Sequence, residues 1–192
     1  MKANIMATFP QVKLLQNEPL SNYTNTKTGG KADYLAFPKN LDEIQELMLY
    51  AQKQGLPVTV IGNASNLIVK DGGIRGLVMI LTEMNQITVK DNDITAESGA
   101  SLIEVTKVAQ RASLSGLEFA AGIPGSVGGA IFMNAGAYGG EISLVADSVT
   151  VLTPEAQLKT IPRTDLDFAY RHSRVQDELS LIHISEPTRL RC

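Results

Sequence analysis

Two glycine-rich stretches are the residues best placed to do chemistry. The first, GNASN at residues 62–66, follows the apolar run PVTVI, and the second, residues 122–140, holds seven of the chain's 16 glycines. Glycine has no side chain, so backbone N–H groups in such loops can converge on an anion. The Ser65 hydroxyl and the Asn66 amide add further donors in the first loop. Both stretches therefore predict a site for a group such as a diphosphate.

Familiar nucleotide motifs do not explain these glycines. The GSVGG spacing at residues 125–129 departs from the G-x-G-x-x-G of a Rossmann site, and no Gly-Lys-Ser/Thr follows to make a P-loop. A nicotinamide site of the Rossmann type and ATP or GTP hydrolysis are therefore disfavoured. Tight turns and close helix–sheet packing remain an alternative, and for one cluster it would be preferred. Two clusters, one continuing into MNAGAYG, favour a ligand instead.

The composition narrows the class of protein. The 192 residues are 44% hydrophobic and 19% charged, as in ordinary globular domains, and the net charge of -3 offers no basic field for nucleic acid. One cysteine and two histidines predict neither a disulfide framework nor a metal site, and they suit a reducing cytoplasm. No signal peptide or run of about 18 apolar residues is present, so we expect neither secretion nor a membrane span.

The first half of the chain alternates strand and helix signals. Residues 32–37 read as a strand, and Asn40 is placed to cap a helix over residues 41–54 that Gly55 ends. A buried strand over PVTVI and an apolar run LVMIL follow, on either side of the first glycine loop. The pattern is β-helix-β with the loop at a strand end.

The second half reads as hairpins with single helices between them. ITVKDNDITAESG and SVTVLTPEAQLKTIP each have turn formers between alternating strands, and a new sheet is predicted to begin near Glu83. Ser101 and Glu104 form a capping-box pattern before a helix that Gly116 is predicted to end. This mixture predicts an α+β fold.

Four ordered blocks then resemble one family. They are TGGKADYLAFP (28–38), IGNASNLIVKDGGIRGLVMI (61–80), AGIPGSVGGAIFMNAGAYGGE (121–141) and FAYRHS (168–173). Over about residues 10 to 178 the chain resembles the UDP-N-acetylenolpyruvoylglucosamine reductase family. That resemblance implies the α+β FAD-binding fold of vanillyl-alcohol oxidase and p-cresol methylhydroxylase, with FAD between two subdomains.

The resemblance also implies a division of the chain. Residues 1–82 and 83–178 would be the two FAD-binding subdomains. We expect the family's third, substrate domain, with its catalytic serine and glutamate, to be missing, and residues 179–192 to be an artefactual tail foreign to the family. On that expectation the chain binds FAD and does not turn over substrate efficiently alone.

Cofactor-binding roles carry over from the family block by block. The first loop would hold the pyrophosphate, and the second would hold the flavin and its diphosphate arm. The implied residues are Asn63, Ala64, Ser65, Asn66 and Leu67, with Gly122, Pro124, Gly125, Ser126, Gly128, Gly129 and Asn134. Ala64 stands where many relatives have glycine, so its backbone has less conformational freedom.

Arg171 is the residue for which the resemblance implies catalysis. A lone arginine is more often a surface residue, here paired with Asp167 or Glu178, but the match at Tyr170-Arg171-x-Ser173 favours function. Its planar guanidinium suits the carboxylate of an enolpyruvyl ether, with Tyr170 beside it. The family reaction uses NADPH to reduce FAD, and then transfers hydride to a UDP-sugar enolpyruvate to give the UDP-N-acetylmuramate of peptidoglycan.

Two other functions stay open at this point. One is a non-catalytic flavin-binding module, and the other is a flavin oxidase of the same fold. The oxidase is disfavoured because neither glycine loop has a histidine or cysteine beside it for covalent flavin attachment. His172 and His183 have no nucleophile to activate, and Tyr138 either borders the flavin or packs.

Overall fold

The computed structural model describes residues 5–178 and 188–191, and its first half forms one sheet with a helix across it. In chain order the elements are α1 (Ile5–Thr8), β1 (Lys13–Pro19), β2 (Lys31–Phe37), α2 (Leu41–Gln54), β3 (Val58–Ile61) and β4 (Ile74–Ile80). The strand order is β1-β2-β4-β3, with β2 and β3 parallel to β4. The glycine loop after β3 therefore lies at the carboxyl edge of the parallel strands.

Helix α2 forms as its sequence predicts. The Asn40 Oδ1 accepts the Glu43 N–H at 2.9 Å, and Gly55 ends the helix in the left-handed region at a φ of 63°. Its apolar face, which includes Ile44 and Leu47, is fully buried in the first core. This packing fixes where β3 begins and so where its loop stands.

The second half of the chain forms a second sheet and its own core. Its elements are β5 (Ile87–Lys90), β6 (Asp93–Ala96), α3 (Leu102–Arg111), α4 (Val127–Phe132), β7 (Gly136–Ala137), β8 (Gly140–Glu141), β9 (Ala146–Leu152), β10 (Leu158–Pro162), α5 (Val175–Glu178) and β11 (Thr188–Arg191). Strands β7 and β8 form a separate hairpin. The predicted hairpins β5–β6 and β9–β10, the new sheet and the α+β class are confirmed.

Two details of α3 were predicted wrongly. Ser101 is at the N-cap position, but its side chain makes no capping bond and Glu104 instead pairs with Lys107 at 2.6 Å. The backbone around Ser101 is occupied by a bridge to Ser126 in the second glycine loop. The helix also ends at Arg111, well before Gly116, because the chain turns at Ser113 with a φ of 58°.

Part of the chain's last segment completes the second sheet. Strand β11 lies between β9 and β6 and pairs antiparallel with both, in the order β10-β9-β11-β6-β5. The half strand predicted around Leu181, Ile182 and Ile184, and also His183, lie outside the described residues. In the described part, no helix is long and apolar enough to cross a membrane.

Candidate functional site

The loop after β3 presents backbone N–H groups that the protein itself does not use. Across residues 5–178 and 188–191, the N–H groups of residues 63–66 donate to no protein acceptor. Ala64 adopts a φ of 49°, and left-handed residues help to turn successive N–H groups toward a common point. The side chain of Leu67 packs against a separate buried cluster of the first half, which includes Leu35 and Ile61, and this packing anchors the loop.

The second glycine loop leads into α4, where most N–H groups are already bonded. Ser126 caps this helix by accepting the Gly129 N–H at 3.3 Å. The Gly128 N–H donates to the Ser98 carbonyl at 2.8 Å, and the Val127 N–H donates to Ala100. Within the described chain, the donors left without a protein acceptor here are the N–H groups of Gly122, Gly125 and Ser126.

These two loops meet, although about sixty residues separate them in sequence. A methyl group placed on Gly62 would overlap the Ser126 Oγ and lie 3.2 Å from the Ser126 Cβ. A methyl group on Gly125 would lie 3.6 Å from the Ser65 Oγ. The absence of side chains at Gly62 and Gly125 therefore lets the loops approach each other and brings their free N–H groups to one crevice.

This crevice suits the diphosphate of a dinucleotide. Neither loop contains lysine or arginine, so its donors are the main-chain N–H groups and the serine and asparagine side chains. Such donors bind phosphate oxygens at short range and hold no counter-charge of their own. The residues present therefore fit FAD at its diphosphate, the part of the cofactor that demands most hydrogen bonds.

Arg171 lies at the tip of a tight turn. Ala169 and His172 exchange two backbone hydrogen bonds of 3.1 Å, which leaves Tyr170 and Arg171 exposed between them. The Arg171 backbone is left-handed at a φ of 55°. Its Nη2 donates to the Gly136 carbonyl at 3.3 Å, and its guanidinium lies 5.6 Å from the Tyr170 ring centre. No ion pair joins Arg171 to Asp167, so the guanidinium is available to a ligand.

A cleft of about 420 Å³ opens beside this arginine. Its walls are the β7–β8 hairpin, the residue that precedes the hairpin, and the Arg171 turn. The lining residues are Asn134, Gly136, Ala137, Tyr138, Gly139, Gly140, Glu141, Leu144, Tyr170 and Arg171. Tyr138 is 97% exposed and Tyr170 is 88% exposed, so neither ring packs in the core. The cleft thus combines one cation, Arg171, with one carboxylate, Glu141, and two aromatic faces.

Asn134 joins the walls of the cleft. It is buried, and its Nδ2 donates to the Ala169 carbonyl at 3.0 Å while its Oδ1 accepts the Ser143 N–H at 2.9 Å. Its left-handed φ of 39° places it between α4 and the hairpin. Glu141 accepts a short hydrogen bond from the Ser143 hydroxyl, and this bond, with the nearby Asn134 amide, lowers the pKa of the Glu141 carboxyl.

Helix α4 connects the two parts of the site. The diphosphate crevice lies at its N-terminus, where Ser126 caps it, and the Arg171 turn is bonded to its last carbonyl, that of Phe132. Six residues of helix span about 9 Å. The contact between Gly62 and Ser126 therefore lies at one end of this short helix, and the segment that follows Arg171 is bonded to its other end.

Several residues of the site were not identified from sequence. Gln176 and Ser143 help to hold the walls of the cleft, and no role was predicted for them. Ser173 and Glu141 lie in the family blocks 168–173 and 121–141, but their hydrogen bonds to Phe132 and Ser143 were not predicted. His172, predicted to have no catalytic partner, lies with its Nε2 3.1 Å from the Asp177 carboxylate. No cluster of metal-ligating side chains occurs in the described part of the chain.

The first sheet holds the parallel strands β2, β4 and β3, the second sheet is antiparallel, and the glycine loops of the two halves are in contact. This is an α+β arrangement. The sequence profile described as FAD binding domain matches residues 32–161. The chain belongs to this FAD binding domain family. The fold class and the FAD cofactor predicted from sequence are thereby confirmed.

Similar proteins narrow the resemblance further. UDP-N-acetylenolpyruvoylglucosamine reductase of Levilactobacillus brevis is 66% identical over 177 residues, which cover 92% of this chain and 58% of that protein. The Lactiplantibacillus plantarum protein of the same name is 64% identical, with 92% and 59% covered. This chain therefore spans about three fifths of these relatives' length, and the resemblance predicted from the four blocks is confirmed.

Solved structures agree with the sequence relatives. The UDP-N-acetylenolpyruvylglucosamine reductase from Thermus caldophilus matches with a TM-score of 0.73 and 30% identity, over 94% of this chain and 60% of that one. Cholesterol oxidase from Brevibacterium sterolicum matches with a TM-score of 0.70 and 18% identity, over 95% and 38%. The second likeness shows the shared fold alone.

Proposed function

We propose that this chain is the FAD-binding portion of a UDP-N-acetylenolpyruvoylglucosamine reductase. The observation on which this depends is the contact between Gly62 and Ser126, which joins two loops of free N–H groups into one crevice. The high identity to reductases of that name supports the same conclusion. We also keep the division into subdomains 1–82 and 83–178, with residues 179–192 foreign to the family, as part of this proposal.

The proposed cofactor contacts fall into two groups. Residues 63–66 hold the diphosphate through main-chain N–H groups, with Leu67 anchoring them, and Gly122, Pro124, Gly125 and Ser126 approach from the other side. Gly128 and Gly129 already donate within the protein, and a methyl group on Gly128 would lie 3.0 Å from the Ser98 Cβ. We propose that these two glycines support the flavin arm by allowing this close packing of α4. Asn134 shapes the same surface through its bonds to Ala169 and Ser143.

The proposed reaction needs a carboxylate site beside the flavin. When bound and reduced by NADPH, FAD would supply hydride to the methylene carbon of the enolpyruvyl double bond in the UDP-sugar substrate, and a proton from an acid or from solvent would complete the reduction at the adjacent carbon. Arg171 binds the enolpyruvyl carboxylate through two N–H donors and stabilises the negative charge that builds on it. Tyr170 and Tyr138 border the cleft beside that carboxylate. The product would enter peptidoglycan synthesis, and with it cell shape and division, in the cytoplasm.

A flavin-binding unit that does not turn over alone is the second candidate. The observation that favours it is the openness of the cleft, where both tyrosines are almost fully exposed. An exposed carboxylate site is wet, and charge stabilisation is much weaker in water than in a closed site. Both candidates share FAD binding and differ in turnover.

One anaerobic experiment separates the two candidates. The FAD-loaded chain is mixed with NADPH, and the loss of flavin absorbance reports reduction. UDP-N-acetylglucosamine enolpyruvate is then added, and return of the absorbance reports hydride transfer to the substrate. Reoxidation that depends on substrate supports the reductase activity in this chain, whereas stable reduced flavin supports the flavin-binding unit. A folded chain that ignores FAD contradicts both.

A further inference from the structure

The turn that presents Arg171 is held to the end of α4 by side chains from the segment that follows it. The Ser173 Oγ donates to the Phe132 carbonyl at 3.0 Å, and the Gln176 Nε2 donates to the same carbonyl at 2.6 Å. The last carbonyls of a helix have no partner inside the helix, so they are available for such bonds. The turn is thereby tied to the element whose other end faces the diphosphate crevice.

Gln176 differs from Ser173 because it also bonds to Arg171 itself. Its Nε2 donates to the Arg171 carbonyl at 3.1 Å, in addition to the Phe132 carbonyl. A primary amide nitrogen carries two hydrogens, so both bonds can form together. One side chain therefore links the arginine's own main chain to the helix end.

This link acts on a strained residue. Arg171 is left-handed at a φ of 55°, a region that is unfavourable for a residue with a side chain. Such a conformation persists where its surroundings fix it. Within the described part of the chain, the guanidinium makes one hydrogen bond, the 3.3 Å bond to the Gly136 carbonyl, so the direction of the side chain depends on the main chain that bears it.

We propose that Gln176 is a positioning residue for Arg171: its amide holds the Arg171 main chain left-handed and so aims the guanidinium into the cleft. The inference rests on the proposed function, in which Arg171 receives the enolpyruvyl carboxylate. Gln176 does not line the cleft and touches no proposed ligand. Its effect on binding is therefore indirect, through the arginine.

A small enolpyruvyl ether tests this link in the chain as it exists. The probe is 2-methoxyacrylate, the methyl enol ether of pyruvate, and its neutral methyl ester is the control for charge. Binding is followed by NMR through the side-chain Nε–H signal of Arg171 in the FAD-loaded, 15N-labelled chain. Gln176→Met removes both donors at nearly constant volume, and Gln110→Met, on the exposed surface of α3, is the matched control.

The expected result is binding of the acid by the parent and by Gln110→Met, and none by Arg171→Ala. Gln176→Met should bind about tenfold more weakly, as the loss of one to two hydrogen bonds implies, and its Arg171 Nε–H signal should move toward the position typical of a free side chain. Gln176→Glu, which sets a carboxylate against two carbonyls, should be at least as weak. The melting temperature is measured for each variant, so that unfolding is recognised.

Two results would overturn the proposal in different ways. If folded Gln176→Met and Gln176→Glu both bind like the parent while Arg171→Ala does not bind, the positioning role is wrong and the carboxylate role of Arg171 stands. If Arg171→Ala binds like the parent, or the parent does not bind the acid at all, the carboxylate role and the positioning role fall together. If Gln176→Met does not fold, the positioning role is decided by acid binding to Gln176→Glu, compared with the parent through the Arg171 Nε–H signal.

Discussion

Gly62 lies in a loop of the first sheet and Ser126 in a loop of the second half of the chain, and the two residues are in direct contact. The Ser126 hydroxyl that caps α4 occupies the space that a side chain on Gly62 would need. The bare backbone at Gly62 therefore serves two purposes at once, because it admits the cap of α4 and closes the crevice in which a diphosphate fits.

Replacing Gly62 with alanine should disturb both functions. The methyl group would push the Ser126 hydroxyl away from the Gly129 N–H, and loss of such a cap costs about 1 kcal/mol of stability. That corresponds to a fall of about 2–4 °C in melting temperature for a chain of this size. FAD affinity should fall as well, since the crevice opens. Gly72→Ala, where a methyl group meets no atom within 4 Å, is the matched control. Equal melting and FAD binding in both variants would refute the contact.

Replacing Ala64 with glycine should increase the stability of the folded chain. The φ of 49° at Ala64 costs an alanine about 1–2 kcal/mol, and glycine loses part of that gain through the greater freedom of its unfolded chain. We expect a net gain of about 0.5 kcal/mol with FAD binding retained or tighter, measured by thermal melting with and without FAD. Ala112→Gly, at an ordinary φ of -85°, should lose stability instead. A loss of similar size at both positions would argue against strain at Ala64.

Replacing Arg171 with lysine should weaken substrate binding. Lysine retains the charge but cannot form two parallel N–H bonds to a carboxylate, so affinity for the enolpyruvyl sugar nucleotide should fall by about tenfold or more. Binding is followed by the flavin absorbance change of the FAD-loaded chain. Arg111→Lys, on the exposed last turn of α3, should leave the affinity unchanged. Undiminished binding by Arg171→Lys would show that only charge matters there.

The pKa of the Glu141 carboxyl should be lowered, mainly by a hydrogen bond that a single substitution removes. The hydrogen bond from Ser143 lowers the pKa of Glu141 below the ordinary value of 4.5, so the folded state favours the carboxylate. This stabilisation is complete above that ordinary value and is lost as the pH falls through the lowered pKa. Ser143→Ala should raise the Glu141 pKa toward 4.5, measured by carboxyl 13C NMR. An unchanged titration curve would place the cause elsewhere.

Local signals predicted the scaffold better than they predicted the site. Asn40 and Gly55 bound α2 because a cap and a left-handed glycine act within one turn of the chain. The same reasoning failed at Ser101, whose surroundings are set by a bridge to Ser126 from a distant segment. Helix α4 was also missed, because glycines at residues 128 and 129 have poor helix propensity and the packing of Gly128 against Ser98 overrides it.

The site shows the same division. The glycine loops could be found from their residue types, whereas Arg171 was identified through the family resemblance, which also gave the loops their roles. The bond from Gln176 to Phe132 could not be found in this way, because the two residues are 44 positions apart and tertiary packing brings them together. Ser143 and Glu141 are close in sequence, but their residue types alone do not predict the bond between them. The position of strand β11 could not be predicted either, because it pairs with β6 and β9, which come from distant parts of the chain.

We propose that main-chain N–H groups of two touching loops bind the diphosphate of FAD. The most direct test is to titrate the cofactor-free chain with FAD and, separately, with riboflavin, and to follow both titrations by flavin fluorescence. Riboflavin has the same ring system as FAD and no diphosphate. FAD should bind at least about a hundredfold more tightly than riboflavin, since several charge-assisted hydrogen bonds are at stake. A folded chain that binds the two alike, or binds neither, would contradict the claim.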